Sequence, residues 1–288
     1  MTDSHDQKTD VSLKPDLGRY GVWIGAPVTP EQAVEIEKLG YGAVWIGGSP
    51  AADLSFVEPI LEATENLQIA TGIVNIWSAP AATVAESYHR IENAYPGRFL
   101  LGIGAGHPEH TQEYVKPYDA LVEYLDVLDA ATVPTSRRVL AALGPKVLML
   151  ARNRSAGAHP YLTTPEHTAQ ARELVGNSVF IAPEHKVVIT SDADRARELG
   201  RERVGFYFDL SNYVNNWKRL GFTSDDVTRP GSDKLIDSVV AHGTPEQIAR
   251  RLGEHHEAGA DHVAIQVLDS DDLIPTLTAL AGPLGLSQ

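Results

Sequence analysis

Eight short apolar runs alternate along the chain with segments of helical period. The runs are rich in β-branched and aromatic residues and are bounded by glycine or polar residues, which is typical of strands. They are Tyr20–Ile24, Ala43–Ile46, Ile69–Val74, Phe99–Ile103, Val139–Leu143, Gly157–Tyr161, Lys186–Ile189 and His262–Leu268. Strand followed by helix, eight times over, predicts a parallel sheet with right-handed crossovers. This number of units favours a closed (β/α)8 barrel, the TIM barrel, over an open sheet.

The intervening segments carry two helix signals. Apolar or small residues fall at positions i, i+3, i+4 and i+7 in Val84–Ile91 and again in Leu121–Leu128, and this spacing predicts one buried face on each helix. A Thr-Pro-Glu sequence begins at Thr29, Thr164 and Thr244. Threonine is a good N-cap residue and proline is favoured at the first helical position, so each of the three sequences predicts a helix start.

The last two strands are unusually far apart. Most predicted strands begin roughly 20 to 40 residues after the previous one, whereas Lys186 and His262 are separated by much more. The aromatic- and asparagine-rich stretch Gly205–Asp226 predicts an extra helical insertion between strands 7 and 8. This insertion either packs on the barrel or serves as a lid or substrate-lining element. No linker divides the chain, so we expect a flexible N-terminal tail over residues 1–17 and a single barrel domain over residues 18–288.

Composition and charge limit the function classes. A chain of 288 residues with 43% hydrophobic content can bury one large core. The formal net charge of −14 argues against nucleic acid or an anionic membrane as a partner, since both require a basic face. No apolar run approaches the roughly 20 residues of a membrane span. The absence of cysteine and of an apolar signal segment predicts a cytoplasmic protein.

The stretch GRFLLGIGAGHP, residues 97–108, carries the candidate chemistry. A dinucleotide-binding turn requires its third glycine where His107 stands, and a second strand with an acidic residue where the pattern is helical. On a barrel, the same stretch is the carboxyl end of strand four, where active sites lie. Its glycines allow a flat ligand to approach the backbone. His107 has a side-chain pKa suited to proton transfer, although it could alternatively only cap the turn at Pro108.

A metal site is not predicted, although the chain has 11 histidines. Strand one has no His-x-His pattern, no His-Glu-x-x-His helix occurs, and Pro108 interrupts the pair His107 and His110. His255 and His256 lie in a helix rich in arginine and glutamate, where we expect them to be solvated.

Three segments taken together resemble the luciferase-like superfamily, in the branch that uses the deazaflavin coenzyme F420. They are GRFLLGIGAGH, ALGPK and AGAHPYLTTPEHT, and the resemblance runs from about Gly18 to Leu280. It implies an oxidoreductase that moves a hydride between C5 of the deazaflavin and a small organic substrate. The cofactor supplies the redox chemistry and the protein supplies orientation. The resemblance also implies a homodimer, by analogy with relatives.

The resemblance implies roles for particular segments. Thr71–Val74 matches the position of a non-prolyl cis peptide, here Gly72–Ile73, which forms a bulge behind the deazaflavin ring. Leu143–Pro145 and Tyr161–Thr164 match the loops that hold the phosphate-bearing side chain of the cofactor. A capped helix start at Thr164 agrees with this role, because its free N–H groups favour anions. His107 falls where several relatives have a glutamate that donates a proton to the ring.

The implied contact residues fall into two groups. Those expected to contact the cofactor are Gly48, Ser49, Gly72, Ile73, Val74, Asn75, Gly104, Ala105, Gly106, Leu143, Gly144, His159, Tyr161, Thr163 and Thr164. Those expected to contact the substrate are Trp45, Trp77 and Gln266. For Thr164 the alternative is a helix cap alone, and for His159 and the substrate group it is packing. Gly48 and Ser49 replace the acidic residue and histidine of the sugar-phosphate dehydrogenases, so glucose 6-phosphate is not the expected substrate.

Two other functions remain open on the same barrel. One is an FMN-dependent monooxygenase, which differs in using oxygen. The other is a protein that binds a flavin or deazaflavin without turnover, because a fold does not determine a function.

Overall fold

The strands form a mostly parallel sheet that is rolled into a TIM-barrel-like fold. In a computed structural model, residues 14–106, 116–269 and 273–286 are described. Their strands are β1 (Tyr20–Ile24), β2 (Ala43–Ile46), β3 (Gln68–Thr71), β4 (Val74–Asn75), β5 (Phe99–Gly104), β6 (Arg138–Leu140), β7 (Gly157–Ala158), β8 (Phe180–Ile181), β9 (Glu184–Ile189), β10 (Val240–Gly243) and β11 (Val263–Val267). The sheet order is β10–β9–β11–β1–β2–β3–β5–β6–β7–β8, with β4 on β5. The predicted fold class is confirmed.

One segment joins β8, at one end of this order, to β9, which lies next to the other end. β8 pairs with β7 and β9 pairs with β11, and only Ala182 and Pro183 separate β8 from β9. The Ala182 N–H donates to the Ala158 carbonyl at 3.0 Å, and the Ala264 N–H donates to the Pro183 carbonyl at 2.9 Å. The segment therefore bonds to neighbours on both sides, and β8 and β9 together act as the seventh strand of the barrel.

Helices cover the outside of the sheet. They are α1 (Pro30–Lys38), α2 (Val57–Ala63), α3 (Ala81–Ala94), α4 (Pro117–Ala130), α5 (Pro145–Arg154), α6 (Pro165–Val175), α7 (Ala193–Val204), α8 (Ser211–Arg219), α9 (Asp233–Val239), α10 (Pro245–Glu257) and α11 (Leu273–Ala281). The predicted helix starts at Thr29 and Thr244 are confirmed, and each threonine forms a capping box with the glutamine three residues later. Thr164 occupies the N-cap of α6, but its side chain makes no capping bond. Within the described ranges, no helix combines the length and apolarity of a membrane span.

The predicted apolar stripes face the barrel. Val84, Tyr88 and Ile91 of α3 are buried, as are the four stripe residues of α4. A second layer of buried side chains, including Trp45 and Phe180, fills the interior of the barrel itself. The core thus lies both inside the sheet and between sheet and helices, as in other barrels of this type.

Several predicted strand boundaries are wrong for local reasons. The run Ile69–Val74 is broken at Gly72 and Ile73, where the chain leaves β3 and resumes as β4. β6 ends at Leu140 because the chain must turn towards Gly144, the N-cap of α5. β7 ends at Ala158 because Pro160 offers no N–H to a ladder and Leu162 is left-handed, with φ of 54°.

The region between the seventh and eighth barrel strands contains the predicted insertion and one missed strand. A 3₁₀ turn over Gly205–Asp209, α8 and α9 follow α7. β10 then pairs in parallel with β9, and its four residues are too few to give a clear period. The predicted tail, residues 1–17, lies mostly outside the described residues. In its described part, Lys14 pairs with Asp261 and Leu17 is buried.

The expectation that His255 is solvated is wrong. His255, a residue of α10, is fully buried; its Nδ1 lies 2.9 Å from Thr168 Oγ1 and its Nε2 lies 2.9 Å from His185 Nδ1. Burial is the main cause that lowers the pKa of His255 to about 3, so the ring is neutral at physiological pH. His256 is partly buried and packs edge-on against Tyr20.

Candidate functional site

A cavity of about 510 Å³ lies at the carboxyl ends of the barrel strands. Its lining residues follow β2, β3, β5, β6 and β7, and α8 adds residues from the insertion. Most of the predicted cofactor contacts are among them: Gly48, Ser49, Gly72, Ile73, Asn75, Ala105, Gly106, Leu143, Gly144, His159 and Tyr161. Trp23 of β1 and Pro117, Tyr118 and Leu121 of α4 line it too. Residues from many separate segments therefore meet at the edge where barrel active sites occur.

The other predicted cofactor contacts lie behind this lining. Val74, Thr163 and Thr164 are buried and do not line the cavity. Gly104 is covered by its neighbours, because a Cβ at this position would lie 2.9 Å from the Ile73 side chain. His107, the predicted proton donor, lies outside the described residues.

The predicted substrate contacts occupy different depths. Trp45 is fully buried inside the barrel, where its ring stacks on His159 at 4.1 Å and its Nε1–H donates to His262 Nε2 at 3.0 Å. Trp77 donates its Nε1–H to the Ala105 carbonyl at 2.5 Å. Gln266 accepts a hydrogen bond from the Tyr161 hydroxyl at 2.9 Å. Trp77 and Gln266 therefore hold cavity-lining residues without lining the cavity themselves.

Backbone forms part of the cavity floor. The peptide bond between Gly72 and Ile73 is cis, as the resemblance implies. The Gly72 carbonyl accepts a bond from Trp23 Nε1 at 3.2 Å, and a Cβ on Gly72 would lie 2.6 Å from the same nitrogen. Gly106 has φ of 57°, and a Cβ there would lie 2.7 Å from Asn75 Nδ2. Both glycines are therefore required, because a side chain at either position would collide with Trp23 or Asn75.

Three tyrosines form a wall of the cavity. The Tyr207 hydroxyl donates to the Tyr161 hydroxyl at 3.3 Å, which in turn donates to Gln266. The Tyr207 and Tyr213 rings pack edge to face with their centroids 4.8 Å apart, and the centroids of the Trp23 and Tyr161 rings lie 5.0 Å apart. Burial is the main cause that raises the pKa of Tyr161 and Tyr213 well above the usual value. These hydroxyls are therefore protonated at neutral pH and act as hydrogen-bond donors.

His159 lies at the bottom of the cavity as a neutral ring. Its Nδ1–H donates to the Ala182 carbonyl at 2.7 Å, which leaves Nε2 as the nitrogen with a lone pair. Burial is the main cause that lowers the pKa of His159 to about 4. The ring therefore carries no charge at neutral pH, and it is a poor proton shuttle there.

A buried ion pair supports Tyr161 from below. Glu184 and Lys186 are both fully buried and lie 3.0 Å apart, and the Lys186 ammonium lies 4.0 Å from the centre of the Tyr161 ring. The other Glu184 oxygen accepts the Leu162 N–H at 3.0 Å, and the Leu162 carbonyl accepts Trp217 Nε1–H at 3.3 Å. Leu162 has the left-handed φ of 54°, which is unfavourable for leucine. Charge and hydrogen bonds therefore fix the turn that orients Tyr161.

Sequence reasoning missed the ion pair and most of the insertion's contribution. Glu184 and Lys186 are two residues apart in a strand, so they point to one face, and this spacing was the available signal. In α8, Asn212, Asn215 and Arg219 are spaced i, i+3 and i+7 and line the cavity together. The spacing predicts a shared face, but it does not identify what that face covers.

Comparison with known proteins identifies the family. The sequence profile of the family described as luciferase-like monooxygenase matches residues 17–262 of this chain. The chain belongs to this family. Among luciferase-like relatives, the 5,10-methylenetetrahydromethanopterin reductase of Archaeoglobus fulgidus is 23% identical, over 69% of this chain and 76% of its own.

Two solved structures share the barrel of this luciferase-like protein. An F420-dependent secondary alcohol dehydrogenase, in complex with an F420-acetone adduct, has a TM-score of 0.71 at 16% identity and covers 92% of this chain and 98% of its own. The FMN-bound oxygenating constituent of 3,6-diketocamphane monooxygenase from Pseudomonas putida has a TM-score of 0.63 at 15% identity and covers 91% and 96%. At these identities the two structures establish a common fold.

Proposed function

We propose that this luciferase-like protein is an F420-dependent oxidoreductase that transfers a hydride between C5 of the deazaflavin and a small organic substrate. The observation that carries the proposal is the bare backbone floor at Gly72–Ile73 and Ala105–Gly106, at the carboxyl ends of the strands. A flat tricyclic ring fits such a floor, and about 510 Å³ lies within the usual range of cofactor pockets.

The residues around the cavity suit this cofactor. Ile73 and Ala141 provide apolar surface for a ring, and Tyr161 and Tyr207 provide aromatic surface at one wall, their hydroxyl protons being donated to Gln266 and to Tyr161. Among the described lining residues there is no carboxylate, and Arg219 provides positive charge, which suits a cofactor with an anionic side chain. The bound deazaflavin supplies the hydride chemistry. The protein orients the ring and excludes water, and His107 gives or takes the accompanying proton.

The printed names of relatives support the choice of cofactor. The structural neighbour that is an alcohol dehydrogenase is F420-dependent, and a second neighbour is a coenzyme F420-dependent tetrahydromethanopterin reductase from Methanopyrus kandleri. A second candidate function, an FMN-dependent monooxygenase, is favoured by the FMN-bound neighbour. Flavin and deazaflavin rings have the same outline, so the shape of the cavity does not separate the two functions and a comparison of binding is the first test.

Titration of the apoprotein with F420 is expected to quench tryptophan fluorescence at lower concentrations than titration with FMN, by about tenfold or more. Trp23 lines the cavity, so the Trp23→Phe variant is expected to lose most of the quenching. Trp77→Phe is the comparison variant: the Trp77 indole does not line the cavity but holds the Ala105 carbonyl, so quenching at saturation should be retained even where the affinity falls. Tight binding of FMN without binding of F420 would overturn the proposed cofactor.

A further inference from the structure

A buried nitrogen in the lining of the cavity has no hydrogen-bond partner within the described part of the chain. It is Nε2 of His159, a residue that lines the cavity and is 1% exposed. The Nδ1–H of the same ring donates to the Ala182 carbonyl at 2.7 Å, so the proton of the neutral ring lies on Nδ1 and Nε2 carries the lone pair. A buried acceptor that lacks a donor is unfavourable. A bound molecule with an N–H or O–H group would satisfy it.

The indole donors around His159 are already engaged. Trp45 stacks on the His159 ring, with the ring centroids 4.1 Å apart, and donates its Nε1–H to His262 Nε2 at 3.0 Å. Trp23 donates its Nε1–H to the Gly72 carbonyl at 3.2 Å. An indole has one N–H, so neither tryptophan has a second hydrogen for His159 Nε2. Within the described ranges, the chain therefore supplies no donor to this atom.

His159 Nε2 lies beside the cis peptide at the floor of the cavity. A Cβ on Gly72 would lie 3.2 Å from this nitrogen. Gly72 and Ile73, the two residues of the cis bond, line the cavity together with His159. Because glycine has no Cβ, no side chain of Gly72 separates the nitrogen from the floor. A ring that rests on this floor therefore has an edge within reach of Nε2 at the bottom of the cavity.

We propose that His159 Nε2 accepts a hydrogen bond from the imide N–H of the bound ring, so that His159 orients the ring and selects rings with an unsubstituted imide. The choice of a deazaflavin rests on the proposed function. The oxidised ring of a deazaflavin, like that of a flavin, has a single N–H group, which lies between the two carbonyls of its pyrimidine part. A neutral imidazole nitrogen with a lone pair is a suitable acceptor for this group. The imide end then lies at the bottom of the cavity, and the opposite end of the ring points towards the mouth.

The test compares ligands that differ by one methyl group. The wild type is titrated with the 8-hydroxy-5-deazaflavin that carries a ribityl chain and with its N3-methyl derivative, in which the imide hydrogen is replaced. We expect the methyl group to weaken binding about 10- to 100-fold, the loss expected when a buried acceptor is left without its donor. Methylation of the 8-hydroxyl, at the opposite end of the ring, should change the affinity less than about threefold. A loss confined to the 8-methoxy ligand would reverse the orientation and overturn the proposal.

Variants separate the hydrogen bond from the space that a methyl group needs. His159→Leu removes the acceptor, so its preference for the N–H ring over the N-methyl ring should fall below about threefold. His159→Gln retains an acceptor oxygen and should keep most of the preference. His89→Leu is the control, because His89 lies on α3 and bonds the Ala131 carbonyl away from the cavity. A preference that persists in His159→Leu, or that is absent from the wild type, overturns the proposal.

A measurement on the wild type guards against misfolding of the variants. In protein labelled with ¹⁵N-histidine, the signal of the unprotonated His159 Nε2 should move upfield when the N–H ring binds and should not move in this way with the N-methyl ring. An Nε2 signal that responds equally to both rings would contradict the hydrogen bond.

A second ligand pair separates this inference from the proposed cofactor. Riboflavin and N3-methylriboflavin differ at the same imide. If the flavin pair shows the preference and its loss in His159→Leu while no deazaflavin binds, the contact to His159 stands and the F420 proposal fails. If both deazaflavins bind equally well, the proposed cofactor stands and the contact fails. If no ring of either pair binds, both fail.

Discussion

Replacing His107 with alanine is expected to lower the turnover number of the F420-loaded protein about 10²- to 10⁴-fold, the usual contribution of general acid–base catalysis. The affinity for F420 should stay within about threefold, because the floor that we propose for the ring is made by the backbone of neighbouring residues. His107 directly follows Gly106, which lines the cavity. The prediction for the side chain itself comes from the sequence, since His107 lies outside the described residues.

The described lining residues offer no substitute for His107 near neutral pH. They include no carboxylate, and the pKa of His159 is lowered to about 4, chiefly by burial. The pKa of Tyr161 and that of Tyr213 are raised well above the usual value, again chiefly by burial. A proton carrier works best when its pKa is near the ambient pH. An ordinary histidine, with a pKa of about 6.5, meets that condition.

The measurement follows oxidation of reduced F420 by absorbance with a panel of small carbonyl compounds, and the reverse reaction with the matching alcohols. His89→Ala is the control, because His89 lies on α3 and bonds the Ala131 carbonyl away from the cavity. The pH profile of turnover in the wild type should contain one ionisation that is missing in His107→Ala. Unchanged turnover and an unchanged profile in the variant would remove His107 from the proposed mechanism.

Local signals in the sequence predicted which glycines form the floor of the cavity. They did not predict the position of residues that depends on contacts between segments distant in the chain. Gly72 and Gly106 lie in short segments where a side chain would collide with Trp23 or Asn75. Glycine at these two positions is a local signal, so their location at the cavity could be predicted from the sequence. Trp45 was expected to contact the substrate, yet it is fully buried inside the barrel, because the period of two in a strand predicts which side a residue faces and not how deep it lies. Arg219 lies more than seventy residues after Gly144, and no local pattern reports that they meet.

Lys186→Met is expected to lower the free energy of unfolding by about 3–5 kcal/mol, the usual cost of breaking a buried ion pair on one side. Both Glu184 and Lys186 are fully buried and lie 3.0 Å apart. Burial raises the pKa of Glu184 and lowers that of Lys186, and the charge of each partner opposes the shift. Without the ammonium, the carboxylate either remains buried and unpaired or takes up a proton, and both cost stability.

A double-mutant cycle separates the pair from the packing of its side chains. The variant carrying both Glu184→Gln and Lys186→Met has no buried charge, and its amide oxygen still suits the Leu162 N–H. We expect it to lose less than about 1.5 kcal/mol and to be more stable than Lys186→Met alone. Arg195→Met serves as the control, because the Arg195–Glu198 pair is exposed and such pairs contribute about 0–1 kcal/mol. Denaturant unfolding of the wild type, Glu184→Gln, Lys186→Met and the double variant gives the coupling energy.

Cofactor binding shows whether the pair also orients the cavity wall. The Glu184–Lys186 pair holds both the left-handed turn at Leu162 and the face of the Tyr161 ring. If the charges matter for that arrangement, the double variant keeps its fold but binds F420 about 3- to 10-fold more weakly, since it loses the cation–π contact. A single-variant loss below about 1 kcal/mol would contradict the structural role. Wild-type affinity in the double variant would limit the pair to stabilising the barrel, because Tyr161 would then keep its position through Gln266 and Tyr207 alone.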